Sequence, residues 1–207
     1  MGMEVKLDRI SKRYISEYIF KNVSFHFKPG LNYAIKGANG TGKSTLLKII
    51  SSNLTPSKGE IDFHLNNQKI PLIEVYKQIT YAAPYMDVIE EYTLDELLRF
   101  HVKLKPLRKG VELETFKEIL NFKRVKSKYI SAYSSGMKQR LKLALSILSE
   151  ASLILLDEPT SNLDNEGKIW YKTLIRKYTT EATVLIASNE DADFVDCVDG
   201  INIESFK

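Results

Sequence analysis

One run of residues, Gly37-Ala38-Asn39-Gly40-Thr41-Gly42-Lys43-Ser44-Thr45, constrains this chain more than any other stretch. It fits G-x-x-x-x-G-K-[ST] without a mismatch. An apolar strand pattern, Leu31 to Ile35, runs into it, and an apolar helix pattern through Leu46, Leu47, Ile49 and Ile50 runs out of it. That strand–loop–helix order separates a phosphate-binding loop from a chance Gly-rich turn. Glycines let successive backbone N–H groups point at phosphate oxygens, and the following helix presents the positive end of its dipole. The Lys43 ammonium then falls at the β- and γ-phosphates, and the Ser44 hydroxyl at a Mg²⁺ ion. These residues predict binding of a nucleoside triphosphate.

The rest of the chain reads as an α/β frame around that loop. Val5 to Ile10 and Val23 to Phe27 alternate like strands, and Glu60 to Leu65 follows the chain break at Thr55-Pro-Ser-Lys-Gly59. Thr93-Leu-Asp-Glu96 is a capping box opening a helix with Leu94, Leu97, Leu98 and Val102 on one side. A second helix is expected through Phe116, Ile119 and Leu120, and a third from about Ser135 through Leu141, Leu145 and Leu148. Residues 85–150 thus form a helical insert, after which strand character returns at Leu153–Leu156 and Thr183–Ala187.

Composition narrows the class. With 207 residues, 43% of them hydrophobic, the expectation is one domain with a substantial core. No window approaches the roughly 18 to 20 apolar residues that span a bilayer. The start, Met-Gly-Met-Glu-Val-Lys, reads as a polar strand lead-in and not as a signal peptide. The single cysteine, Cys197, fits a reducing cytoplasm. A net charge of +4 is too mild for a dedicated nucleic-acid binder.

Two further motifs complete the pattern. Leu153-Ile-Leu-Leu-Asp157-Glu158-Pro159-Thr160 is an apolar strand ending in two acids. Asp157 is expected beside the phosphate loop, holding Mg²⁺ through its water shell, and Glu158 one residue on, polarising the attacking water. Between loop and acids lies Tyr133-Ser134-Ser135-Gly136-Met137-Lys138-Gln139-Arg140-Leu141. Here the chain resembles the nucleotide-binding subunit of ATP-binding cassette (ABC) proteins, whose signature is Leu-Ser-Gly-Gly-Gln, usually followed by Gln-Arg. Ser134, Gly136, Gln139 and Arg140 match, while Tyr133, Ser135 and Met137 depart. Ser161-Asn162-Leu163-Asp164 resembles the family's loop after the acidic strand, with Leu163-Asp164 intact.

The resemblance implies a P-loop NTPase (RecA-like) core with an antiparallel β subdomain and an ABC-type helical subdomain. It also implies ATP and Mg²⁺ as ligands, and a head-to-tail dimer in which Ser134, Ser135 and Gly136 of one copy close over the ATP of the other. Family members stack adenine on an aromatic about two dozen positions before the phosphate loop. Tyr14 has that place, with Tyr18 and Phe20 nearby as strand aromatics. Two family residues are missing. The glutamine that follows the strand read as Gln78–Ala82 is replaced by Pro84, and Gln78, expected within that strand, is a poor substitute. The histidine that contacts the γ-phosphate after Thr183–Ala187 is replaced by Asn189, and His26, His64 and His101 all lie far upstream. An amide can donate one hydrogen bond but carries no charge. Losing one transition-state donor costs on the order of 10²-fold in rate, so the expectation is slow but real hydrolysis. The rival is an ATP-binding dimer that scarcely turns over.

The function this implies is the ATP-hydrolysing subunit of an ABC transporter with a separate transmembrane permease, cytoplasmic and peripheral on the inner face of the cell membrane. On this reading the cassette is expected to fill all 207 residues, with no membrane domain within them and no regulatory domain expected after Lys207. A soluble ABC-type ATPase acting on nucleic acid, the ribosome or cofactor assembly is the alternative, although the long coiled coils and paired cassettes of such relatives are absent. The absence of Asn-Lys-x-Asp speaks against a GTPase. A basic series in the insert (Lys103, Lys105, Arg108, Lys109, Lys117, Lys123, Arg124, Lys126 and Lys128) fits either a face toward lipid headgroups or a solubilising surface.

Overall fold

The computed structural model describes residues 1–122 and 128–207. Strands β1 (Glu4–Tyr14) and β2 (Glu17–Phe27) form a long antiparallel hairpin. With β4 (Lys58–Leu65) and the short β5 (Gln68–Lys69) they make a sheet of order β2-β1-β4-β5. Both hairpin strands run well past the alternating segments read from sequence. Register shifts along β1, with left-handed backbone at Arg9 and Asn22, reset the apolar-in, polar-out alternation partway and hide the continuation.

The second sheet is parallel. It contains β3 (Asn32–Lys36), β6 (Ile79–Ala82), β7 (Leu153–Asp157), β8 (Thr183–Ser188) and β9 (Cys197–Asn202), in the order β6-β7-β8-β3-β9. Leu153 to Asp157 and Thr183 to Ser188 are buried throughout, because both faces of these strands are covered. Ile154, Leu156, Val184 and Ile186 join the core formed with α2 (Leu94–Leu104), α3 (Leu113–Leu120), α4 (Ser135–Leu148) and α5 (Asn165–Tyr178). Leu153, Leu155, Leu185 and Ala187 face the other way, onto α1 (Lys43–Ile50) and the antiparallel sheet.

The capping box forms as expected. Glu96 N donates to Thr93 Oγ1 at 3.4 Å, and Thr93 N donates to Glu96 Oε2 at 2.8 Å. Besides the two-residue β5, two elements had no expectation attached. Helix α5 opens on Asp164, whose Oδ1 accepts from Gly167 N at 2.7 Å, and the edge strand β9 has too mixed a pattern to announce itself. One expectation is corrected. Gln78 lies in a 3₁₀ turn just before β6, not within it, and its Oε1 accepts from Ser152 Oγ at 3.0 Å. That end of a parallel strand is opposite the one from which the phosphate loop emerges, so Gln78 is turned away from it.

Candidate functional site

In a parallel sheet every strand ends on the same edge, and register decides what meets there. Lys36 pairs with Ser188 on one side and Asn202 on the other, and Asp157 pairs with Ala187. The phosphate loop after β3, the acids after β7, Asn189 after β8 and Glu204 after β9 therefore gather at one edge.

Within the loop the glycines occupy backbone that other residues avoid. Gly37 has φ 149° and Gly42 φ 110°. A Cβ at Gly37 would lie 2.7 Å from Ile203 Cγ2, and one at Gly42 2.5 Å from Ile19 Cγ2. Gly42 N-caps α1 without any side-chain cap, which leaves the first-turn N–H groups free for a ligand. Lys43 is buried, and its Nζ donates to the carbonyls of Gly37 (2.9 Å) and Ala38 (3.1 Å). The outer side of the loop is braced by the chain's last turn, which the sequence did not foretell. Ala38 N donates to Glu204 Oε1 at 2.8 Å, and Lys207 Nζ to Thr41 O at 3.0 Å.

Asp157 is 1% exposed. Burial pushes its pKa up, opposed by the nearby Ser44, Tyr85, Lys43 and Tyr81. Its Oδ2 lies within hydrogen-bonding reach of Tyr85 Oη at 3.2 Å and Tyr81 Oη at 3.4 Å, while Oδ1 has no hydrogen-bond partner among the described residues. A buried carboxylate oxygen without a partner is costly, and a cation answers it. Mg²⁺ suits the donor set, since it takes one or two carboxylates and fills its shell with hydroxyls, phosphates and water. Among the described residues no group of three or more His, Cys, Asp or Glu side chains is arranged to hold a metal ion by itself. Next along the chain, Glu158 sits at φ 43°, a left-handed conformation costly for a non-glycine residue and characteristic of functional sites.

Asn189 is exposed and lines a recess of about 250 Å³ together with Gly37, Ala38, Ser188 and Glu204. Its loop is pinned by a second buried acid that sequence reading missed. Asp193 receives Thr160 Oγ1 at 2.5 Å and Ser188 Oγ at 2.7 Å, and Glu190 N donates to Ser188 Oγ at 3.0 Å.

Pro84 follows β6 at the same edge, and Lys142 Nζ of α4 donates to its carbonyl at 2.8 Å. Tyr14 ends β1 half exposed, with Lys12 Nζ 5.2 Å from its ring centroid. Phe20 is fully buried against the Gly42 backbone and unavailable for stacking. Ser134 N-caps α4, accepting from Met137 N at 3.3 Å. Ser134 and Ser135 are exposed, and a Cβ at Gly136 would lie 3.0 Å from Asn162 O. Gln139 Nε2 donates to Pro159 O at 2.9 Å, tying α4 to the acidic loop. Among the described residues no hydrogen bond joins Ser134–Gly136 to the phosphate loop of the same chain.

Three residues of the basic series are engaged within the protein. Lys105 Nζ donates to Lys77 O, Arg108 Nε to Ile147 O at 2.7 Å, and Lys117 Nζ to Asp95 at 3.0 Å. Lys103, Lys109 and Lys128 are exposed, whereas Lys123, Arg124 and Lys126 fall outside the described residues.

This edge, with a glycine cradle for phosphates, a buried acid short of one partner and a separately capped Ser-Ser-Gly helix, defines a P-loop nucleotide-binding class. The ABC transporter family model matches residues 20–161, more than half of the chain, and the chain belongs to that family as an ATP-binding cassette. YcbN of Bacillus subtilis, an ABC transporter ATP-binding protein, is 30% identical over 96% of this chain, which spans 66% of YcbN. An ABC transporter ATP-binding protein from Pyrococcus furiosus has the same fold, with a TM-score of 0.81, 24% identity and 99% of each chain covered. So does the ATP-binding cassette MJ0796, a dimer in a post-hydrolysis state with ADP and Pi, at a TM-score of 0.76, 23% identity and coverage of 91% and 90%. Among the described residues no helix is long and apolar enough to cross a membrane.

Proposed function

We propose that this chain is the ATP-hydrolysing subunit of a transporter whose membrane-spanning part is a separate polypeptide, and that it works on the inner face of the membrane as a dimer. The observation that carries the reading is the meeting, at one sheet edge, of the Gly37–Ser44 cradle with Asp157, whose Oδ1 lacks a hydrogen-bond partner among the described residues. Residues 1–207 act as one ABC ATPase unit. The N–H groups of Gly37, Ala38, Asn39, Gly40, Thr41, Gly42, Lys43, Ser44 and Thr45 line the phosphate cradle. On binding, Ala38 N leaves Glu204 Oε1, Thr41 N leaves the Ala38 carbonyl, and Lys43 exchanges the Gly37 and Ala38 carbonyls for phosphate oxygens. Ser44 and Asp157 would hold Mg²⁺, which neutralises charge on the phosphates when bound. Tyr14 stacks on adenine.

Glu158 takes a proton from the attacking water, and Asn189 donates an amide N–H to the terminal phosphate. Because an amide offers no charge, turnover is slow. Ser134, Ser135 and Gly136 close on the nucleotide of a second copy, using the free N–H groups at the start of α4. The dimer of MJ0796 with ADP and Pi supports that arrangement as a fold-level parallel. Loss of the γ-phosphate removes the charge both copies grip, and the pair loosens.

The test is steady-state phosphate release by the purified protein, paired with size-exclusion in ATP. Slow release, abolished in Glu158→Gln while that variant accumulates as an ATP-dependent dimer, supports the reading. No release from the unmodified protein, or a Glu158→Gln variant that stays monomeric in ATP, refutes it. Purification from native membranes addresses the partner: a co-purifying polytopic protein supports a transporter, and recovery with ribosomes or nucleic acid overturns it.

A further inference from the structure

Pro84 occupies the place of the family's glutamine and has no side-chain donor or acceptor. The space in front of Asp157 is nevertheless occupied by oxygen atoms. Tyr81, in β6, and Tyr85, immediately after Pro84, bring their hydroxyls into contact with each other, and both approach Asp157 Oδ2, Tyr85 more closely at 3.2 Å. Two phenols carry two protons for these three contacts. The arrangement that uses both protons on the shorter contacts runs from Tyr81 to Tyr85 and from Tyr85 to Asp157, and leaves the longer Tyr81–Asp157 contact without one. It leaves one Tyr85 lone pair and the whole of Asp157 Oδ1 uncommitted.

Both phenols are proton donors at neutral pH. Burial pushes the Tyr85 hydroxyl up to about 12 and raises that of Tyr81 further. The placement is held from three directions. Tyr81 pairs with Leu155 in the register of β6 on β7, which sets its distance from the end of β7. Lys142 of α4 holds the Ala83 and Pro84 carbonyls at 3.2 and 2.8 Å. Lys48 Nζ of α1 lies 4.4 Å from the Tyr85 ring centroid, so the ring is lodged beside the helix that carries the phosphate loop.

We propose that Tyr85, oriented by Tyr81, is a positioning residue for the metal–nucleotide complex, holding the Asp157 carboxylate through Oδ2 so that Oδ1 points at the cation. It takes over by a phenol what the proline has removed. The inference rests on Asp157 holding the metal, and its test keeps the two apart.

Mn²⁺ affinity is measured by electron paramagnetic resonance with a saturating non-hydrolysable ATP analogue, and affinity for the analogue alone is measured in EDTA. Tyr85→Phe keeps the ring and removes the oxygen. It is expected to weaken Mn²⁺ binding by about tenfold, the usual cost of losing an outer partner of a metal ligand, with metal-free analogue binding within about twofold of the parent. Tyr81→Phe, one step removed, is expected to lose about threefold. Tyr85 is half exposed, so the variant is expected to fold, and its melting temperature is recorded alongside. Unchanged Mn²⁺ affinity in Tyr85→Phe, with a large loss in Asp157→Asn, overturns the role of the tyrosine alone. Unchanged affinity in Asp157→Asn overturns the underlying metal assignment and the inference with it. An equal loss with and without metal in Tyr85→Phe also overturns it, by making the ring a nucleotide contact.

Discussion

Asp157 and Asp193 are two acids buried to the same depth, 1% and 2% exposed, beside neighbouring strand ends of one sheet. Asp193 has a hydroxyl donor on each carboxylate oxygen, Thr160 at 2.5 Å and Ser188 at 2.7 Å, and its own carbonyl accepts from Tyr171 Oη at 3.1 Å. Asp157 has two tyrosine hydroxyls crowded on Oδ2 and, among the described residues, no hydrogen bond on Oδ1, with the Ser44 hydroxyl nearby. A carboxylate whose oxygens are both satisfied contributes to the fold, whereas one left short is in a state the fold alone does not favour. The contrast separates a residue that holds the site's walls from one whose carboxylate the fold leaves short, as the proposed metal role requires. It also explains why Asn189, on the loop that Asp193 pins, can be exposed without being adrift.

The hardest blow to this comparison comes from neutralising the unsatisfied acid. Asp157→Asn is expected to lower Mg²⁺-dependent phosphate release by at least about 10²-fold, because the transition-state charge loses its anchored cation. The melting temperature of the nucleotide-free protein is expected to hold or to rise by about 2–4 °C, since a buried, incompletely partnered charge has gone. A marked fall in melting temperature would make Asp157 structural after all. Asp193→Ala is expected to do the reverse. It orphans two buried hydroxyls at about 1–3 kcal/mol each, lowering the melting temperature by roughly 5–10 °C in a thermal scan. Nucleotide binding of the still-folded protein at low temperature is expected to persist; its loss would blur the distinction.

A smaller effect is expected on the loop between these acids. Asn189→His restores a chargeable donor beside the phosphate loop and should raise phosphate release by about tenfold, part of the range assigned to one such donor. A fall in rate would mean the pinned loop holds residue 189 away from the phosphates. Smallest of all is Asp164→Ala. Here a third acid spends one oxygen on a helix cap at 2.7 Å, and its removal should cost about 1 kcal/mol in chemical denaturation, leaving turnover near the parental rate.

Legibility followed how local each requirement is. The phosphate loop was readable because its function is written in contiguous backbone, where only glycine tolerates φ near 110° at residue 42 and a helix must follow. The Asp157-Glu158 pair was readable because an uninterrupted apolar run announces a strand covered on both faces. Helix α5 is not announced although Asp164 is a good cap residue, since Asp164 also closes Ser161–Asp164, the stretch that resembles the family's loop. Within the basic series, Arg108 and Lys117 are occupied by partners from other elements, which spacing along the chain does not show.

What the chain of letters determined alone was the family, the cradle, the acids and the signature helix, each a short pattern whose chemistry needs neighbouring residues. The tertiary structure decided who stands beside Asp157 and who pins Asn189. Tyr85 meets Asp157 across 72 positions, and Thr160 meets Asp193 across 33. Such pairs depend on which strands lie side by side and in what register. Hydrogen bonds weaken steeply with distance and angle, so only the assembled sheet edge selects them from the many hydroxyls the sequence offers.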